Sequence, residues 1–155
     1  MEREGLEVGW ALVSALAAQL ADARTELSAR CNTVEEAYEF MLAYAGQGLA
    51  SDSGSAKGGQ VREYLVKAEA ALSSLCSFVG TFSAQAGGAT ELAPYSAFMD
   101  VIDRDARAAR AAIALVIAQP SISSQVIDNL NASIHLRALL TDLFLVDEVL
   151  KGHTV

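Results

Sequence analysis

The stretch of residues 121–152 has the spacing of one long helix whose second half is apolar almost all the way round. The apolar side chains of that half are Leu139, Leu140, Leu143, Phe144, Leu145, Val146, Val149 and Leu150. A helix on the surface of a monomer keeps its apolar residues to one stripe. A helix that is apolar in every direction has to be covered on all sides, so we expect this one to be buried, either inside a bundle or against a second subunit.

A polar stripe runs along the same predicted helix. Asp128, His135 and Asp142 are spaced by seven residues, which keeps successive members within about 20° of one face. Asn131 lies one turn before His135 and joins the stripe. We therefore take Asp128, Asn131, His135 and Asp142 as the candidate ligand-binding residues. A buried structural layer that sets the register of the bundle is the alternative interpretation.

Two helices are predicted at the start of the chain. The first runs from Gly5 to about Arg30, because its apolar positions repeat at three and four residues. These positions are Leu6, Trp10, Val13, Leu16, Leu20, Ala23 and Leu27. A break is expected at residues 31–33, where Thr33 and Glu36 have the spacing of a capping box that opens a second, shorter helix.

The central part of the chain predicts a loop followed by two long helices. Residues 50–59 are rich in Ser and Gly, a composition that predicts a flexible loop. One helix should run from about residue 60 to 85, and the next should begin near Pro94 and stop at Pro120. No segment alternates polar and apolar residues between turn signals, so we expect no strands.

Long helices joined by short turns predict an all-α protein, an antiparallel helical bundle of four long helices plus one short helix. With 155 residues the chain is expected to form a single domain, 1–155. Five helices hardly surround a helix that is apolar in every direction, so we predict a homodimer. Its expected interface lies on the final helix, with help from the first helix, and consists of Leu139, Leu143, Phe144, Val146 and Leu150.

The composition restricts the possible partners. Charged residues make up only 19% of the chain, against a usual share of about 25%, which again favours an oligomer. A net charge of −8, with 11 scattered Lys and Arg, disfavours binding to nucleic acid or to an anionic membrane. The acidic start of the chain is unlike a signal peptide, so we expect a cytoplasmic protein. Cys31 and Cys76 should then be reduced thiols of the core.

Few residues could carry chemistry. The chain has two His, and His153, beyond the expected helix end at Gly152, is predicted to be a frayed surface residue. A diiron bundle would need a Glu three residues before His135, where the sequence has Ala132. The spacing of the 50–59 loop does not match a phosphate-binding loop. We therefore expect no catalytic residues, no bound metal and no cofactor.

The expected function is that of a non-enzymatic protein that interacts through its helical surfaces, with itself or with another protein. One alternative is a small-ligand-binding or catalytic bundle that uses His135, with Asn131 fixing the imidazole tautomer. A histidine phosphotransfer protein is a further interpretation, because a bundle that presents one His is the architecture of that class, although the residues around His135 match its motif only loosely.

Overall fold

A computed structural model describes residues 2–153 of the chain, and the side chains of residues 2, 3 and 6 lie outside the description, among them Leu6 of the predicted apolar seam. Within this part the chain forms five α-helices joined by short connections, and no strand. The helices are α1 Glu2–Ala45, α2 Ala56–Ala86, α3 Ala93–Ile117, α4 Ser124–Ala132 and α5 Ile134–Lys151, with a 3-10 turn at Thr90–Leu92. The predicted all-α architecture of four long helices and one short helix is confirmed, although the short helix is not the predicted one.

The four long helices close a ring in which each packs against two others. α2 packs between α1 and α3, and α5 packs between α3 and α1. The rings of Phe40 and Tyr64 stack 4.3 Å apart between α1 and α2, and Arg110 donates to Glu69 over 2.6 Å between α3 and α2. In both pairs a residue late in one helix meets a residue in the first half of its partner, so α2 is antiparallel to both α1 and α3.

The first helix is continuous through residues 31–33, so the predicted break there is wrong. Buried side chains recur through the region at helical spacing, at Leu27, Cys31 and Val34, and packing of this stripe favours an unbroken helix. Thr33 does not act as a cap, because its hydroxyl donates back to the carbonyl oxygen of Ala29 over 3.3 Å. A Thr inside a helix commonly satisfies its hydroxyl in this way.

The final helix is divided at Ser133, where the sequence predicted one continuous helix. Ser133 has extended backbone angles, φ −58° and ψ 132°, and its N–H donates to the carbonyl oxygens of Asn129 and Leu130. Ser and Asn side chains compete with helical backbone bonds, which favours a helix end where they cluster. Because α4 and α5 are separate helices, residues before and after Ser133 do not share one helical face.

The second helix begins at Ala56, inside the segment predicted as a loop. The Ser55 hydroxyl caps it by accepting from the N–H of Gly58 over 3.0 Å. Gly58 is buried, and a Cβ atom there would overlap the backbone carbonyl of Asp52. The helix can therefore start only because residue 58 has no side chain.

Asp52 anchors the connection between α1 and α2 to the connection between α3 and α4. Its carboxylate accepts from Arg62 Nε over 2.6 Å and from the N–H of Ile122 over 2.7 Å. The same Arg62 donates to the carbonyl oxygens of Ile117 and Gln119. The Ile122 N–H and the Arg62 guanidinium lower the pKa of Asp52, against the opposing effect of burial. These bonds hold residues 50–55 in place and argue against mobility there. The flexible loop expected at residues 50–59 stays a prediction.

One helix, α2, is long and apolar enough to cross a membrane when only length and composition are considered. The core helix of a bundle passes the same test, and 39% of the apolar segment is buried inside the protein. Its buried residues face α1 and α3, so we describe α2 as a helix of the bundle core.

Candidate functional site

The start of α1 extends beyond the bundle as a projecting arm. α1 has 44 residues and is about 66 Å long, whereas its neighbour α2 has 31 residues and is about 46 Å long. Every described side chain between residues 4 and 15 is exposed, and the first buried residue of α1 is Leu20. We refer to residues 4–15 as the arm. Two of the apolar positions that repeat along the predicted first helix, Trp10 and Val13, are therefore not buried in the bundle core.

The surface of the arm is apolar. Val8, Trp10, Leu12 and Val13 are all exposed, Trp10 with 73% of its surface accessible to solvent. Residues 8–21 include no charged residue. Exposed helices normally carry charged or polar residues on the solvent side. An apolar exposed segment of this kind is typical of a surface that another molecule covers.

A depression lies at the root of the arm, where α1 enters the bundle. Its volume is about 230 Å³. The apolar lining comes from α1 and from the region around the start of α3, and consists of Val13, Leu16, Ala17, Leu20, Leu92 and Tyr95. His153 and Glu91 complete the wall. We call this feature the root depression.

His153 belongs to the wall of the root depression and is half-buried, so the prediction of a frayed surface residue is wrong. Its Nε2 lies 3.1 Å from the hydroxyl of Tyr95, and the two rings meet edge to face. This contact fixes His153 against α3. Tyr95 is thereby held in position at the edge of the depression.

An apolar groove between α3 and α5 adjoins the root depression and shares Tyr95 with it. The groove has a volume of about 360 Å³. Its lining residues are Pro94, Tyr95, Phe98, Leu145, Val146 and Val149. Leu145 and Val149 are about half exposed. The arm, the root depression and the α3/α5 groove therefore form one apolar region at the same end of the bundle.

The dimer interface predicted on the final helix lies mostly inside the bundle. Leu139, Leu143, Val146 and Leu150 are buried in the core of the chain itself, whereas Phe144 is half exposed. The expectation that α5 is covered on all sides is therefore met only in part within one chain. Of the five predicted interface residues, Phe144 is the one with a large surface left for a second subunit.

The four candidate ligand-binding residues do not form the predicted stripe. Asp128 and Asn131 lie on α4, and His135 and Asp142 lie on α5, beyond the break at Ser133. Asp128 and His135 are exposed, whereas Asn131 is buried and its side-chain amide has no hydrogen-bond partner among the described residues. Because the heptad spacing crosses the end of a helix, it does not align these side chains. Their role in ligand binding stays a prediction.

Asp142 is paired with a second carboxyl group across the α3/α5 contact. Burial, followed by the neighbouring carboxyl group of Asp105 on α3, raises the pKa of Asp142 to about 7. Asp142 Oδ2 is buried and accepts no hydrogen bond from a described donor. Two adjacent carboxyl groups can share a hydrogen bond when one of them keeps its proton. The pair can therefore exchange a proton near neutral pH, and it couples the contact between two helices to pH.

A narrow cleft of about 100 Å³ lies between α1 and α5 and is lined in part by Cys31. The thiol of Cys31 is not activated as a nucleophile. Burial, followed by the nearby Glu35 and Asp147 carboxylates, raises the pKa of Cys31 to about 12. A thiolate is the reactive form of cysteine. Asp147 itself accepts from Ser28 over 2.9 Å and from Arg24 over 3.2 Å. The cleft is thus a structural contact between two helices, with a thiol that stays protonated.

Neither a metal site nor a disulfide emerges from the side chains described between residues 4 and 153. No group of three or more His, Cys, Asp or Glu converges there in an arrangement that could hold a metal ion. Cys31 and Cys76 are free and buried. Four of the large apolar side chains that are exposed in this part of the chain, Val8, Trp10, Leu12 and Val13, lie together on the arm.

The sequence contained a signal for this region that the helix prediction missed. Residues 8–21 form a long run without a charged residue. A surface helix normally has charged or polar residues at regular intervals on its solvent-exposed side. The predicted break at residues 31–33 made the first helix look as short as its partners, so its overhang could not be seen. Tyr95 and His153 are far apart in sequence, and no local pattern indicates their contact.

Comparisons of this chain with family models, with curated proteins and with solved structures each returned no match.

Proposed function

We propose that this protein is a non-enzymatic interaction or regulatory protein that acts by binding another protein chain through its arm. The observation that supports this proposal is the exposed apolar surface of the arm, with Trp10 73% accessible at its centre. Burial of apolar surface is the main favourable term in protein association. Exposed Trp residues are also the side chains that contribute most often to binding energy at interfaces.

The predicted homodimer is part of this proposal, with its interface moved from the middle of the final helix to the end of the bundle that carries the arm. Four of the five residues first expected at the interface are buried in the chain's own core. The final helix contributes its exposed residues Leu145 and Val149 through the α3/α5 groove. In the proposed interface, the first helix contributes more surface than the final helix.

The net charge of −8 supports a protein partner over nucleic acid or an anionic membrane, since both of those ligands attract basic surfaces. We include a cytoplasmic location in the proposal. The two buried, unpaired thiols of Cys31 and Cys76 are compatible with a reducing compartment.

The proposal is tested by placing a photo-crosslinking amino acid at residue 10 in cells that express the protein. Irradiation should give protein adducts from position 10. The matched control is Leu115, which is 67% exposed on α3 and lies outside the apolar region around the arm. Position 115 should give few adducts, since an isolated exposed Leu is common on protein surfaces.

Equal adduct yields from positions 10 and 115 would overturn the proposal, because they would show that the arm is no more often in contact with a protein than an ordinary surface. A function at His135, in ligand binding or phosphotransfer, stays a prediction. Its exposed side chain lies on α5, across the break at Ser133 from Asp128 and Asn131 on α4.

A further inference from the structure

The arm and the root depression are complementary apolar surfaces that one chain cannot bring together. The depression is formed in part by α1 itself, at Leu16, Ala17 and Leu20. α1 is one unbroken helix from Glu2 to Ala45. The arm would have to break this helix to fold back into a depression at its own root, so the arm does not cover the depression of its own chain.

We infer that the cover is a second copy of this protein, an inference that rests on the proposed function and names its partner. Two copies whose arms run antiparallel and cross at Val13 place Trp10 of each chain opposite Leu16 of the other. Each Trp10 then enters the root depression of the other copy, beside Leu92 and Tyr95. The two contacts are identical and related by a twofold axis, so the assembly closes as a dimer.

The areas involved favour this arrangement over a contact between the arms alone. With 12 residues the arm is about 18 Å long and about 10 Å wide, so half of its surface is roughly 300 Å². Stable complexes bury at least about 600 Å² on each partner. Contact between arms alone supplies about half of that area. When each copy also covers the other's root depression and the adjoining α3/α5 groove, the area buried per chain is larger than that of the arms alone and comes closer to this limit.

The charges favour a second copy over a lipid surface. Residues 8–21 are uncharged, so the arms of two acidic chains can meet without repulsion along this run, and Glu91 is the acidic residue in the wall of the root depression. Anionic lipid surfaces attract basic segments. The charged residues on the exposed part of the arm are Glu4 and Glu7, both acidic. A tryptophan at the centre of a closed contact also has the position and residue type of an interface hot spot.

The test uses solution mass, measured by light scattering, on the full chain and on three variants. Trp10→Glu removes the side chain that enters the depression. Ala17→Phe fills the depression and leaves the arm unchanged. Leu115→Glu is the control, because it makes an equally exposed apolar residue acidic on a part of α3 outside the apolar region. Circular dichroism verifies that each variant keeps its helices.

Wild type and Leu115→Glu should have the mass of a dimer, and Trp10→Glu and Ala17→Phe the mass of a monomer. An equal mixture of the two monomeric variants should recover dimers in part. In a mixed pair, the intact Trp10 of the Ala17→Phe chain meets the intact depression of the Trp10→Glu chain. Recovery on mixing is the signature of a contact between two different surfaces.

A dimeric Ala17→Phe protein would overturn the inference, because the arm would then bind elsewhere, for example to the other arm. A mixture that stays monomeric would overturn it too. If Ala17→Phe does not fold, Val149→Glu replaces it, since Val149 is half exposed in the groove that shares Tyr95 with the depression. The expected results for Val149→Glu, alone and in the mixture, are the same.

Failure of this inference can be distinguished from failure of the proposed function. A monomeric wild type that still gives adducts between position 10 and a different protein would overturn the second copy as partner, and with it the homodimer, but would leave standing the proposed binding of a protein chain through the arm. A monomeric wild type whose Trp10 fluorescence shifts to shorter wavelength on lipid vesicles, without protein adducts, would assign the arm to a membrane and overturn both.

Discussion

At the scale of single residues, the Asp105–Asp142 pair shows how packing sets a property that the sequence does not reveal. The sequence placed Asp142 in a stripe with His135, seven residues away, because one continuous helix was assumed. The contact that matters comes instead from Asp105 on another helix, and no sequence spacing relates the two. Burial of Asp142 depends on the same tertiary contact.

The pair makes stability depend on pH. Burial beside Asp105 raises the pKa of Asp142 from 3.8 to about 7. Between these values the folded protein holds a proton that the unfolded chain releases, so the free energy of unfolding should fall as pH rises from about 4 to about 7. Asp142→Asn removes the titrating group. It should flatten this part of the profile and stabilise the protein by about 1 kcal/mol above pH 7, after allowance for solvent screening.

The measurement is urea unfolding of wild type and Asp142→Asn at several pH values between 4 and 8. Two profiles with the same slope across this range would contradict the assignment of the proton to Asp142.

At the scale of helices, the sequence located most elements, but it predicted a break at residues 31–33 that is absent and missed the break at Ser133. Pro94 lies in the first turn of α3, and α3 ends before Pro120, because proline restricts the backbone locally. The capping-box pattern at Thr33 does not start a new helix, because the stripe of buried residues continues through this position. The helix end at Ser133 was hidden because the apolar spacing on its two sides is nearly in phase. Local signals therefore decided helix ends only where packing did not oppose them.

The start of α2 depends on close approach between Gly58 and Asp52. A Cβ atom at residue 58 would overlap the Asp52 carbonyl oxygen, whereas one at residue 59 would meet open space. Gly58→Ala should therefore destabilise the protein by about 2–3 kcal/mol, in the range of an overpacked core. Gly59→Ala is the matched control and should stabilise it by about 0.5 kcal/mol, through helix propensity. Thermal and urea unfolding measure both, and equal effects of the two substitutions would argue against the contact.

The connection between α1 and α2 should be protected from hydrogen exchange at its anchored end. The N–H of Leu49 donates to the Ser124 hydroxyl over 2.9 Å, and the N–H of Ser124 donates to the carbonyl oxygen of Leu49 over 2.8 Å. Bonded amides with little exposure exchange slowly. We expect slow exchange at Leu49, Ser124 and Ile122. Rapid exchange of these amides would support the flexible loop that the composition predicted.

At the scale of the whole molecule, the sequence predicted the bundle but not its overhang. The fold class followed from apolar spacing in each helix, which is a local property. The arm exists because α1 is longer than the helices that it packs against, and this follows only from comparing elements once their ends are known. The apolar region around Tyr95 joins three distant segments, residues 13–20, 91–98 and 145–153, so its prediction requires the tertiary structure.

The central claim is that the arm is covered by a second chain, and Trp10 reports on it directly because it is the only tryptophan. The most direct measurement is quenching of Trp10 fluorescence by acrylamide over a series of protein concentrations. The account predicts a blue-shifted, protected Trp10 at high concentration, strong quenching after dilution, and no comparable protection in Ala17→Phe. A Trp10 that is quenched as freely as in the unfolded chain at every concentration would contradict it.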